Sequence, residues 1–138
     1  MKYKLVPNDT KEVEDWVASR VNARGFGDCT AIGFYDEAEL IAGVVFSEYR
    51  KTDVMVSVAT ERRDVFHKEI LEYLFSYPFQ QLGCNRITAF AEVSNKVSNN
   101  QLKRLGFVLE GTLREITHDC KDGHLYGMLR RECRWIGE

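Results

Sequence analysis

Val54, Val56 and Val58 fall on one face at a two-residue period that predicts a strand over residues 53–59. Residues 2–6, 30–35 and 40–49 read the same way, and Pro7 ends the first of these runs. Two other stretches repeat at three and four instead. Val13, Trp16 and Val17 predict a helix capped by Asn8 or Asp9, and Phe66, Ile70, Leu71, Leu74 and Phe75 predict another over residues 65–82. Asp64 would cap that second helix, Pro78 would end or kink it, and Gly83 would close it. Residues 86–91 are again rich in strand formers, and residues 107–117 with 124–133 form a final hairpin whose turn is Lys121-Asp122-Gly123.

The order is therefore β-α-β-β-β-α-β-α-β-β, with no repeat, low-complexity run or long linker. The helix between residues 59 and 86 has the length of a parallel crossover, whereas the earlier strands are joined by turns. An α/β fold follows: a mixed, mostly antiparallel sheet with helices on both faces.

Composition narrows the class. A chain of 138 residues has the size of one domain, and 44% hydrophobic with 29% charged residues suits a globular protein. No apolar run approaches the roughly 20 residues of a membrane helix, and the first six residues lack the apolar core of an export signal, so no membrane partner and a cytoplasmic location are expected. The net charge of −2 exerts no global pull on nucleic acid, and Arg130, Arg131 and Arg134 read as the solvated end of a strand. Cys29, Cys84, Cys120 and Cys133 show neither CxxC spacing nor a disulfide framework. Cys120 and His124 flank Asp122-Gly123, where a turn accounts for the spacing better than a metal site, so no metal is expected.

The most informative string is Asn95 to Gly111. Asn95 suits a helix N-cap, Ser98 follows one turn later, Leu102 and Leu105 give the apolar stripe, and Gly106 suits the left-handed closing residue before Phe107 and Glu110-Gly111. NxxS, a helix, then GFxxEG, set after a strand in the last third of a small α/β chain, resembles the GNAT N-acetyltransferase superfamily, and within it the RimJ/RimL branch that acetylates protein N-termini.

That resemblance implies a sheet splayed between its fourth and fifth strands, residues 53–59 and 86–91, with acetyl-CoA wedged in the gap as cosubstrate. It implies that the loop from Thr60 to Phe66 carries the pyrophosphate. The family's loop is glycine-rich; this one reads Thr60-Glu61-Arg62-Arg63-Asp64-Val65-Phe66 and has no glycine. Backbone amides of Arg62 to Phe66, with charge from Arg62 or Arg63, are the expected contacts. Asn95 would hydrogen-bond the pantetheine or acetyl region, and Ser98 would protonate the departing thiolate. A backbone N–H near Val58 or Ala59 would meet the oxyanion.

The tyrosine acid of other branches is replaced here by Leu102, which fits the RimJ/RimL type. That branch keeps a base carboxylate on the sixth strand, at the position of Thr117. Glu115 shares the face of Thr117, two residues away, and is the candidate base. Glu48 and Asp53, near the tip of the meander's second hairpin, are expected to face solvent. The expected activity is acetyl transfer to a primary amine, a protein N-terminus or a small molecule, by direct attack in a ternary complex. The acceptor would lie between residues 22–28 and the final hairpin, and a homodimer is compatible with the pattern. The rival reading is a GNAT-like module that binds an acyl-CoA or a protein without catalysis.

Overall fold

In a computed structural model, described over residues 4–7, 10–21 and 23–137, the elements follow the order the periodicities predict. They are β1 (Lys4–Pro7), α1 (Thr10–Val21), β2 (Cys29–Asp36), β3 (Glu39–Ser47), β4 (Asp53–Thr60), α2 (Lys68–Ser76), β5 (Arg86–Glu92), α3 (Lys96–Leu105), β6 (Val108–Leu113) and β7 (Gly123–Leu129). The expected caps of α1, Asn8 and Asp9, lie outside the described residues, as do Lys2 and Tyr3 of the first strand. Seven strands form one sheet in the order β1-β2-β3-β4-β5-β7-β6. Only β4 and β5 pair in parallel; every other neighbour is antiparallel.

The sheet is covered on both faces. Val13 and Val17 of α1 pack on Ala31, Leu40, Val45 and Ala59 on one side. On the other, Ile70, Leu71, Leu74 and Phe75 of α2, with Leu102 of α3, close over Phe34, Val44, Val56 and Ile87. Fully burying each large apolar side chain contributes about 1.5–3 kcal/mol, so this double layer holds the sheet.

The last strand, expected to reach residue 133, ends at Leu129, where a tight turn at Arg130–Glu132 follows and Arg130 Nη1 donates to the Phe79 carbonyl at 2.6 Å instead of facing solvent. Three further expectations are corrected. The second helix begins at Lys68, not at Val65, and its cap position is His67 in place of Asp64, with a side chain that makes no capping bond. A single tight turn at Arg63–Val65 first buries Val65 completely, and Phe66 then stacks edge-on against Phe34 at 5.7 Å. Burying these two side chains in succession holds residues 66 and 67 out of helical geometry. At the other end Pro78 has no N–H to continue the ladder, so α2 gives way to a wider turn closed by Leu82 N–H on the Tyr77 carbonyl at 2.9 Å. The second correction is that β6 stops at Leu113, because Glu115 turns back with φ 54° and donates its N–H to Asp122 Oδ1 at 2.9 Å. The hairpin connection is thus the loop from residue 114 to 122, closed within itself by the Thr117 hydroxyl, and Gly123 opens β7.

The third correction is Asp53, which is only 7% exposed and not at the surface. Its Oδ1 accepts from the Thr88 hydroxyl at 2.8 Å and its Oδ2 pairs with Arg50 Nη2 at 2.8 Å. Arg86 Nε donates to the same Thr88 oxygen at 3.0 Å, and its Nη2 reaches Glu110 Oε1 at 3.0 Å. A bulge between Leu109 and Gly111 on β6 aims Glu110 across β7, directly over Gly127. A Cβ at Gly127 would stand 2.5 Å from Glu110 Oε2 and 2.6 Å from Arg86 Nη2, so any side chain there would push the bridge aside. Four strands are thereby clamped together where β4 and β5 are still paired.

Candidate functional site

Pairing of β4 with β5 ends early. It runs through Asp53–Arg86, Val54–Ile87 and Met55–Thr88, after which both strands continue apart to Thr60 and Glu92. Arg86 N–H donates to the Thr52 carbonyl, so the even-numbered peptide groups of β4 point toward β5. The Val56 N–H closes the last rung with β5, and by the alternation of a strand the C=O of Val56 and both the N–H and C=O of Val58 face the opening. This is the edge of a strand inside a sheet, a place where an extended chain can add itself by main-chain hydrogen bonds.

A cleft of about 330 Å³ occupies the opening, with Met55, Ser57 and Val58 on one wall, Phe90 and Glu92 on the other, and Phe26 across it. It continues into an outer groove of about 760 Å³ that runs over Thr60, Phe66 and Leu71 to Val97, Arg104 and Trp135. Val58, Asn95, Ser98 and Gln101 border both spaces and mark where they join. The outer groove carries Arg20, Arg62 and Arg104 against Glu61, whereas the inner cleft carries Glu48 and Glu92 against Arg20. One end suits anions and the other suits a cation.

Helix α3 forms the hinge side of this space, and its ends obey local rules. Asn95 Oδ1 accepts from Ser98 N–H at 3.1 Å as the N-cap, and Gly106 closes the helix at φ 107° with its N–H on the Leu102 and Lys103 carbonyls. Tertiary anchoring comes from Asn99, a residue the sequence reading passed over. Only 7% exposed, it donates from Nδ2 to the carbonyls of Glu92 at 3.0 Å and Asn95 at 2.8 Å. With the amide oriented by those two acceptors, Oδ1 receives the Tyr126 hydroxyl at 2.6 Å and His124 Nδ1 at 3.1 Å. Burial pushes the Tyr126 phenol above its ordinary value, so it remains a donor. One amide thus ties the start of α3 to the splayed end of β5 and to β7.

The expected site residues separate into groups. Val58, Ala59, Arg62, Phe66, Asn95 and Ser98 all line the outer groove, and three of them also border the cleft. Arg62 is also engaged with Asp36, and Thr60 donates its hydroxyl to the Arg62 carbonyl at 2.8 Å, folding the loop on itself. Val65 is fully buried in the core, and Asp64 is exposed in the tight turn, outside the linings of both spaces. The side chain of Arg63 lies outside the described residues. Glu115 sits in the turn after β6 and borders neither space. From the expected acceptor region, Ala23, Gly25 and Phe26 line the cleft, while Asn22 lies outside the described residues and no residue of β6 or β7 is in the lining.

Among the described residues no group of three or more His, Cys, Asp or Glu side chains is arranged to hold a metal, and no helix is long and apolar enough to cross a membrane.

No family model matches the chain. It is 33% identical over 85 residues to an uncharacterized N-acetyltransferase, YoaA, of Bacillus subtilis (strain 168), a match covering 58% of this chain and 48% of that protein. The chain therefore spans about half the length of that relative. Among solved structures, mutant forms of the spermidine/spermine N-acetyltransferase SpeG from Vibrio cholerae superpose with a TM-score of 0.73 at 14% identity, over 94% of this chain and 95% of that one. The ribosomal-protein-S5-alanine acetyltransferase from Vibrio fischeri gives 0.63 at 19% identity, over 78% and 63%. The seven-stranded sheet splayed between β4 and β5 is the fold these acetyltransferases share with this chain.

Proposed function

We propose that the chain is a GNAT-type N-acetyltransferase that moves an acetyl group from acetyl-CoA to a primary amine. The observation that carries this reading is the opening between β4 and β5, with the peptide edge of Val56 and Val58 turned into it and a basic groove leading to it. The pantetheine arm of the coenzyme is an extended chain with two amides, the shape and bonding pattern of a short strand. Its diphosphate would lie toward the Arg62 guanidinium and the loop after β4, where a charge-assisted contact is within reach. Asn95 and Ser98, at the junction of groove and cleft, stand beside the place the thioester would reach. Ser98 is then the nearest hydroxyl on α3 to protonate the leaving thiolate.

The inner cleft takes the acceptor. Its carboxylates, Glu48 and Glu92, favour an ammonium or a nearby positive charge, which accommodates a polyamine or a peptide N-terminus. The RimJ/RimL assignment is supported by Leu102 in place of a tyrosine, since that side chain is buried and cannot donate a proton.

Calorimetry and thermal melting with acetyl-CoA test the cofactor, and thiol release with a panel of amines tests the transfer. Saturable binding that raises the melting temperature, followed by amine-dependent release of free thiol, is the expected result. No stabilisation at millimolar acetyl-CoA would sink the reading. Binding without turnover on a broad panel would leave a module that holds acyl-CoA but does not transfer it.

A further inference from the structure

We infer that Glu92 is the group that takes the proton from the acceptor ammonium, an assignment that rests on the acetyl-transfer reading. Ile87, Ala89 and Ala91 of β5 are buried in the core under α2, so the alternating residues Thr88, Phe90 and Glu92 direct their side chains to the opposite face. That face is the one covered by α1 and the loop carrying Phe26, where the inner cleft opens. The cleft reaches through the gap to Ala89, Ala91, Leu102 and Leu105 on the other face, where the outer groove runs over α2 and α3 with Arg20 and Val21 of α1 at its border. An amine in the cleft and a thioester from the groove would therefore meet through the gap, with Glu92 on the amine's side.

Two carboxylates among the described residues line the cleft, and their settings differ. Glu48 is exposed beyond the end of β3 in a left-handed turn at φ 54°. Glu92 is half-buried at the splayed end of β5. Its backbone carbonyl is held by Asn95 N–H at 2.9 Å and Asn99 Nδ2 at 3.0 Å, and its Oε2 accepts the Ser94 hydroxyl at 2.6 Å. These contacts hold the residue in place beside the cleft. The charged groups around it are Arg20 and Glu48 across the cleft, Lys96 at the start of α3, and Asp122 and His124 on either side of Gly123, its partner on β7.

The protons balance as follows. The acceptor ammonium gives one proton to Glu92, which passes it to solvent. The freed nitrogen lone pair forms the C–N bond at the thioester carbon, and the C–S bond then breaks with its electrons going to sulfur. Of the two protons left on nitrogen, one ends on the thiolate and the other stays as the amide N–H, giving a secondary amide and free thiol.

The test compares Glu92→Gln and Glu92→Asp with the unaltered protein. Calorimetric affinity for acetyl-CoA should be the same in all three, because Glu92 faces the acceptor. Thiol release at pH 7 should fall at least about 100-fold in Glu92→Gln, the usual contribution of a general base, and the rising limb of kcat/KM against pH should vanish. Glu92→Asp should keep the limb, displaced and at a lower rate. Activity of Glu92→Gln within about 3-fold with an unchanged limb overturns the assignment. Should Glu92→Gln melt well below the unaltered protein, an undisplaced limb in Glu92→Asp overturns it instead. If the unaltered protein binds no acetyl-CoA and releases no thiol, the acetyl-transfer reading falls and this assignment falls with it; if it does both, only the Glu92 result is decisive.

Discussion

Replacing Asn99 by alanine removes four hydrogen bonds at once, and their consequences are unequal. The Glu92 carbonyl keeps Asn95 N–H at 2.9 Å, and the Asn95 carbonyl keeps Asn99 N–H at 3.1 Å, so neither is orphaned. The Tyr126 hydroxyl, on a side chain with no exposure, loses the acceptor it has at 2.6 Å. An orphaned buried hydroxyl costs about 1–3 kcal/mol and the lost bonds to carbonyls a further fraction, so Asn99→Ala should destabilise by about 2–4 kcal/mol. For a domain of this size that lowers the melting temperature by roughly 6–16 °C. Urea unfolding measures the loss, and a double-mutant cycle tests the cause. In the Tyr126→Phe background there is no hydroxyl left to orphan, so Asn99→Ala should cost at least about 1 kcal/mol less there. Costs that add to within about 0.5 kcal/mol would refute the reasoning, because the anchor of α3 would then not pass through Tyr126. Well below its melting point, the same variant should bind acetyl-CoA more weakly, since Asn95 and Ser98 ride on the helix that Asn99 holds.

Gly127→Ala should destabilise by up to about 1 kcal/mol in chemical denaturation by displacing the part-exposed Arg86–Glu110 bridge. Removing the obstructing carboxylate with Glu110→Ala in that background should recover part of the loss. Gly106→Ala forces a side chain into φ 107° and within 3.0 Å of Arg134 Nη1. A loss of about 1 kcal/mol is expected from the backbone alone, read from the denaturation midpoint. Desolvation, followed by the hydrogen bond to Glu14 at 3.2 Å and the charges of Glu14 and Asp28, raises the Cys29 thiol from 9.0 to about 11. Because the folded protein holds this proton more tightly than the unfolded chain, the contribution is complete below pH 9 and is lost as pH rises through about 11. Unfolding against pH should show that decline, and Glu14→Gln should lessen it while the desolvation contribution remains.

Much of the architecture was legible because it rests on local chemistry. Strand and helix periods, the Asn95 cap and the Gly106 stop are properties of neighbouring residues, and they gave the element order correctly. The string from Asn95 to Gly111 likewise pointed to the fold now seen. Errors arose where a distant partner decided the outcome. Asp53 sits beside a turn, and the approach of Thr88, 35 residues away, together with the ion pair to Arg50, makes its burial tolerable. Asp64 stands at a good cap position, but Val65 and Phe66 are drawn into the core and delay the helix. Asn99 did leave a trace, as a polar residue three positions before Leu102 on the inward stripe of α3, where a buried amide needs partners.

The sequence alone determined the alternation of strands and helices, the faces they bury and the capped helix that the site uses, since each follows from spacing within one segment. Tertiary structure decided where β4 and β5 part, which peptide groups are left facing the gap and which carboxylates share it. Those are relations between segments far apart in the chain, and no local pattern encodes them. Glu115 and Glu92 illustrate the difference: both are acidic residues near strand ends, and only the packing of β5 against α3 places one of them in the cleft.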